Sequence, residues 1–295
     1  MRQIFRAIHR YGGAPTLHVF YHIVTDDTAP HVRGLYPVRS VRQFREDMDW
    51  LLRHFIPVTL DELAAPPSAR PGFHVSFDDG LRQCYDTITP VLLEKGIPAT
   101  FFVNPDFVDN RALMYRYTAS LILQKRPDLR RELLQMTIHD AGTLAQIARQ
   151  NGVDPEAFLH EYQPYMTLAQ IQELSNYGFT IGAHSMNHPM YAQIPEPEQV
   201  QQTLDSLAWV RAHTQETNPP FAFPFTDFGV KKPFFAQLPP NTLSFGCAGL
   251  KKEHQPRHFQ RLAMEKNTRS AAAIVESAYA GYLAKLLMGR HVTQR

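Results

Sequence analysis

Cysteine is nearly absent from this sequence of 295 residues. Cys84 and Cys247 are the only two, too few for a disulfide framework and without the spacing of a thiolate metal site. Both read as small buried hydrophobes. A strong charge of either sign is also missing: 30 Lys and Arg against 28 Asp and Glu leave a formal net charge of +2. No long basic block breaks the mixture, so there is no electrostatic case for binding nucleic acid. Long uncharged apolar runs are missing too. Near the start, Arg2, Arg6 and Arg10 interrupt Ile4, Phe5 and Ile8, so that segment has no signal-peptide core, and nothing reads as a membrane span. A cytoplasmic protein is the expectation. The same segment reads either as a packed N-terminal helix or as a short basic helix lying on a membrane, which leaves peripheral membrane contact open.

What is present is enough apolar material for a sizeable core, 44% of residues against 20% charged, within a length that suits one large α/β domain or two smaller ones. Strand-like runs alternate with helical patterns, which predicts βα units and a mainly parallel sheet or barrel. "LHVFYHIV" at 17–24 is the first strand. Ser40 and Gln43 resemble a capping box, and Phe44, Met48, Leu51, Leu52 and Phe55 then recur at helical spacing, predicting a helix over 41–55. "FHVSF" is a strand running into Asp78 and Asp79; a helix bent at Pro90 and stopped by Gly96 leads to the strand "ATFFV". Thr167 and Gln170 suggest another cap, for a helix that Gly178 ends before "FTIGAH". A helix over 198–213, apolar runs at "FAFPF", "LSFGCA" and "HFQRLAM", and a final helix over 270–288 complete the pattern. Between about Leu113 and Tyr165 the segments look helical and no strand separates them, which predicts a helical insertion in a single domain spanning 1–295. It reads as a lid over a site or as padding.

Two motifs carry chemistry. Asp78 and Asp79 follow a strand, the place where α/β folds gather catalytic groups, and adjacent carboxylates repel unless a cation, proton or donor is near. Asp-Asp-Gly is equally a turn sequence. In "GAHSMNHP", His184 and His188 are four apart, so one helical turn points both imidazoles to one side. With one carboxylate they make a three-ligand site that leaves coordination positions open, as a hydrolytic Zn²⁺ requires.

The order "SFDDG", "ATFFV", "GFTIGAHSMNH", "FAFPF" resembles the polysaccharide deacetylases of carbohydrate esterase family 4, with the NodB homology domain, over roughly residues 17 to 265. The family's T-F-D-D-G motif is matched at Ser76 to Gly80, and its H-S/T-x-x-H motif at His184 to His188. The resemblance implies a distorted (β/α) barrel and removal of acetyl groups from sugars with a divalent metal. It implies that Asp79, His184 and His188 hold the metal, Zn²⁺ with Co²⁺ or Ni²⁺ as alternatives, and that Asp78 is the general base. The family's R-x-P-Y motif stands here as "AFPF", with Ala222 at the arginine and Phe225 at the tyrosine whose backbone N–H stabilises the oxyanion. Arg261 either replaces the missing arginine in space or is an ordinary surface arginine. Leu262, Ala263 and Met264 occupy the region of the fifth motif and contain no histidine, which leaves the general acid open: His22, at the end of the first strand, reads either as that acid or as a structural histidine, and His254 and His258 are weaker candidates. Tyr191, Trp209, Asn104 and Asp227 are candidates for a sugar groove.

The resulting expectation is a metal-dependent hydrolase that removes an N-acetyl or other small acyl group from an amino sugar in a polysaccharide or glycoconjugate. A deformylase of a lipid-linked amino sugar, a carbohydrate-binding member without turnover and a divalent-metal phosphoesterase remain as alternatives; two-metal phosphoesterases usually need more ligands than these motifs provide.

Overall fold

In the computed structural model, which describes residues 2–63, 71–265 and 268–293, the apolar runs become short parallel strands buried on both faces. β1 is Leu17–Tyr21, β2 Ile56–Pro57, β3 Gly72–Phe77, β4 Ala99–Val103, β5 Thr180–Ala183, β6 Phe221–Ala222, β7 Ser244–Gly246, β8 His258–Gln260 and β9 Leu262–Ala263. All residues of β1 and β4 are buried, as expected when helices cover the outside of a sheet and side chains fill its inside. The strand order is β8-β7-β6-β5-β4-β3-β1-β9, with β2 beside the start of β3. Arg261 alone separates β8 from β9. That one segment pairs with β7 through Phe245 and Phe259 and with β1 through Val19 and Leu262, bringing the ends of the sheet together. The result is a nearly closed parallel barrel surrounded by helices.

The helices form where local chemistry directs them. Ser40 and Gln43 make a reciprocal capping box for Val41–His54, and Phe44, Met48 and Leu51 bury one face of it, each contributing about 1.5–3 kcal/mol of hydrophobic stabilisation. Thr167 and Gln170 do the same for Leu168–Asn176. After the aspartates, a π turn at Cys84–Ile88 precedes the helix Thr89–Lys95. Pro90 sits in that helix's first turn, where its missing N–H costs least, and Gly96 ends it in the left-handed region at φ 61°. The N-terminal helix Arg2–Gly12 packs: Phe5 is buried against Phe55 and Tyr279, while Ile4 is exposed. No helix among the described residues is long and apolar enough to cross a membrane.

Between β4 and β5 the chain forms the helices Tyr115–Lys125, Arg130–Gln135, Ala141–Gln150 and Pro155–Tyr162. They build a second apolar cluster, in which Tyr117, Ile122, Leu133 and Leu144 join Ile23, Val32 and Leu81 from the barrel's loops.

Candidate metal centre and active site

Parallel strands place all their carboxyl ends at one mouth of a barrel, and the sequence puts its polar residues there. Asp78 and Asp79 follow β3, His184 follows β5, Phe225 lies beyond β6, His22 follows β1, and Glu265 lies two residues after β9. Asp79 and Gly80 both have left-handed backbones, φ 72° and 65°. Only Gly adopts that freely, so this turn stores strain beside reactive groups.

His184 and His188 lie in a loop, which corrects the expectation of a helical turn. Ser185 and His188 have φ 63° and 61°, and side chains hold the loop. Asn104 Nδ2 donates to the carbonyls of His184 and Ser185, and Ser185 Oγ accepts from the His188 N–H at 3.0 Å. The two Nε2 atoms thereby reach Asp79 Oδ1, at 3.5 Å from His184 and 3.1 Å from His188. One ligand atom from each of the three residues lies within 4.8 Å of the others. His184 Nδ1 lies 2.8 Å from the Ala222 carbonyl; a carbonyl accepts only, so that nitrogen carries the hydrogen and Nε2 presents a lone pair. Burial pushes His188 below its ordinary value despite the pull of Asp79, which favours the neutral, ligating form. Tyr117 donates to Asp79 Oδ2 at 2.6 Å. Asp79 Oδ1 is buried with no donor. A buried acceptor without a donor, facing two imidazole nitrogens, fits a divalent cation with N and O ligands.

A model of the polysaccharide deacetylase family matches residues 67–233. The chain belongs to that family. Its fold is similar to that of IcaB from Ammonifex degensii, at 19% identity, covering 90% of this chain and 98% of that one with a TM-score of 0.62. It is similar also to the Streptococcus pyogenes deacetylase PplD in complex with acetate, at 13% identity, covering 89% and 97% with a TM-score of 0.60. A de-N-acetylase from Aggregatibacter actinomycetemcomitans gives 16%, 89% and 99%, and 0.59. No curated protein matches the sequence.

In this chain the place of the arginine missing at Ala222 is taken in space by Arg261. Arg261 is 1% exposed, which removes the reading of a surface arginine. Its fork meets the Asp78 carboxylate at 2.7 and 2.8 Å and also donates to Ser76 Oγ at 3.0 Å. Its guanidinium carbon lies 4.4 Å from the Phe20 ring centroid. Burial would raise the Asp78 carboxyl, but Arg261 and then His184 overcome it and hold it below its ordinary value. A bidentate pair of this kind fixes orientation as well as charge.

His22 has a partner that sequence reasoning missed. Glu265 accepts from the His22 backbone N–H at 2.8 Å and pairs with Nδ1 at 2.7 Å, while Tyr36 stacks on the imidazole at 4.6 Å. Glu265 stands just past the strand run "HFQRLAM", the same kind of position that singled out Asp78, and that signal could have found it. A cavity of about 410 Å³ opens onto His22, Asp78, Asp79, His184, His188 and Phe225. Phe225, at φ 56°, lays its ring 4.4 Å from that of His188.

The other candidates lie elsewhere. Asn104 serves the histidine loop. Tyr191 is fully buried and its hydroxyl bonds Thr203 at 2.7 Å, while Trp209 stacks on His213 at 4.4 Å; both are packing residues. Asp227 is buried, accepting from the Cys247 N–H at 3.2 Å and from Gln260 at 2.7 Å. His258 pairs with Asp227 and Ser244 inside the fold, and His254 is exposed. None of them lines the cavity. Cys84 is a buried small hydrophobe, whereas Cys247 is half-buried on the cavity wall.

Proposed function

We propose that this deacetylase is a metal-dependent hydrolase that removes an N-acetyl or other small acyl group from an amino sugar in a polysaccharide or glycoconjugate. The observation that carries this reading is the buried, donorless Oδ1 of Asp79, facing two imidazole nitrogens beside a carboxylate clamped by Arg261. Asp79, His184 and His188 hold the ion. Their N and O donors suit Zn²⁺, and Co²⁺ or Ni²⁺ as replacements. When bound, such an ion supplies Lewis acidity, which makes water a nucleophile near neutral pH and polarises an acyl carbonyl.

Each residue then has one task. Asp78 accepts the proton of the attacking water, and Arg261 keeps its carboxylate charged and aimed. The backbone N–H of Phe225, which donates to no group among the described residues, is the oxyanion donor as the acyl carbon becomes tetrahedral. His22 gives a proton to the departing amine, held by Glu265 in the tautomer that leaves Nε2 facing the cavity. One water is consumed, and the products are the free amino sugar and the carboxylic acid. The two groups missing from the family's third and fifth motifs thus have counterparts in Arg261 and His22, which favours turnover over a binding-only role.

The test is acetate release from N-acetylated sugars with Zn²⁺ supplied. Asp78→Asn is expected to keep the ion and lose activity by about 10²-fold or more. An Asp78→Asn protein with undiminished turnover overturns the assignment.

A further inference from the structure

Arg116 is a buried cation that the proposed chemistry does not use. It lies in the first turn of Tyr115–Lys125, is 8% exposed, and lines the same cavity as Asp78 and His184. Its Nη1 donates to the carbonyls of Leu134 at 2.7 Å and Leu133 at 3.3 Å. The guanidinium carbon lies 5.0 Å from the Tyr115 ring centroid and 5.7 Å from that of Phe225. Since the Phe225 ring in turn packs on His188, this charge stands one aromatic ring away from the candidate metal ligands.

Among the described residues no carboxylate lies within 4.0 Å of Arg116, whereas the other arginines buried to this degree are paired, Arg261 with Asp78 at 2.7 Å and Arg39 with Asp47 at 3.4 Å. Carbonyls and ring faces orient a guanidinium without neutralising it, and a buried charge left in that state is costly. A planar, permanently charged fork at a cavity wall is suited to a phosphate or a carboxylate. Met114, Leu134 and Leu35 also line this cavity, and apolar walls strengthen an ion pair formed there.

We propose that Arg116 selects amino-sugar substrates carrying an anionic group, a phosphate ester or a carboxylate, which seats on its guanidinium while the acyl group occupies the site across Phe225. This substrate class rests on the amino-sugar hydrolase reading above.

The experiment compares kcat/KM of the Zn²⁺-loaded enzyme on three substrates: a neutral N-acetylhexosamine glycoside, the same sugar with a phosphate ester, and the same sugar with a carboxylate. The wild type is expected to prefer an anionic sugar by about tenfold or more, the range of a charge-assisted hydrogen bond, with the difference mainly in KM. The preferred anion names the source. Arg116→Gln should bring the ratio of anionic to neutral rates close to one, and Arg116→Lys, which keeps the charge but loses the planar fork, should retain part of it. Calorimetric binding of the de-acetylated sugar phosphate and sugar carboxylate to the same three proteins needs no turnover. If none of the sugars is hydrolysed, the hydrolase reading fails and the binding series alone decides the role of Arg116. Equal rates on neutral and anionic sugars in the wild type overturn the inference, as does an anion preference or affinity that Arg116→Gln leaves unchanged.

Discussion

Asp78 and Arg261 form a buried pair whose members are unequal to lose. Removing the guanidinium leaves a buried carboxylate without its partner, so Arg261→Ala should cost about 3–5 kcal/mol. Arg261→Met with Asp78→Asn removes both charges and should recover part of that loss; denaturant unfolding of the single and double variants measures it, and an additive loss contradicts the pairing. At His22, burial lowers the imidazole's proton affinity, but Glu265, then Asp79 and Asp78, raise it to about 9. A cation held at Asp79 repels the imidazolium, so His22 should titrate lower in Zn²⁺-loaded protein than in metal-free protein. NMR of labelled histidine follows both titrations, and coincident curves would place the ion elsewhere. His22→Ala should lose kcat on an N-acetyl sugar by roughly 10²- to 10⁴-fold and far less on an activated ester, whose leaving group needs no proton. Equal losses on both substrates would make His22 a packing residue. Asp78, Asp79, His184 and His188 were legible because adjacent or regularly spaced residues announce themselves. Glu265 and Arg261 were hidden or ambiguous because their partners lie 243 and 183 positions away, a distance that only barrel closure spans.

At the scale of elements, strand ends and caps were legible and loop geometry was not. Ser40 with Gln43, Thr167 with Gln170, and Gly96 act through neighbours within a few residues, so the sequence states them directly. The loop 184–190 depends on Asn104, a residue from the end of another strand, and on left-handed turns at Ser185 and His188 that no side chain demands. Asn104→Ala should therefore weaken Zn²⁺ affinity about 10- to 100-fold, the usual effect of removing a group that orients ligands, with little change in the far-ultraviolet circular dichroism. Unchanged affinity would mean that the loop holds itself. The inserted helices do more than pad the chain, because Tyr117 reaches Asp79 and Arg116 lines the cavity. Their helical character was evident from composition and spacing; which side chains they turn toward the barrel depends on packing over its mouth.

For the molecule as a whole, the alternation of strand and helix patterns was enough to read a parallel sheet or barrel, and the choice of a barrel came from the family resemblance; the closure through β8 and β9 was not legible, since "HFQRLAM" looks like one strand. Arg261 at the break serves both closure and the site. The barrel also buries neutral histidines. Burial pushes His18 to about 3, with Arg261 adding to the effect, and pushes His31 to about 3 against the attraction of Asp79. The unfolded chain binds protons at these positions below about pH 6.5 while the fold does not, so the contribution of these two groups is full above that pH and falls as the pH drops toward 3, whereas that of His22 is full below about 6.5 and is lost as the pH rises toward 9. The slope is up to about 1.4 kcal/mol per pH unit for each group. Urea unfolding between pH 7.5 and 5.5 should show this decline, and His18→Gln should flatten it. A His18→Gln profile with the same slope as the wild type would mean that His18 is not held neutral.

Stoichiometric Zn²⁺ binding to the wild type, Asp79→Asn, His184→Ala and His188→Ala tests the centre of this account most directly. The predicted result is one tightly bound ion per wild-type chain and its loss in each of the three folded variants. A folded variant that still binds one ion with undiminished affinity would contradict the site.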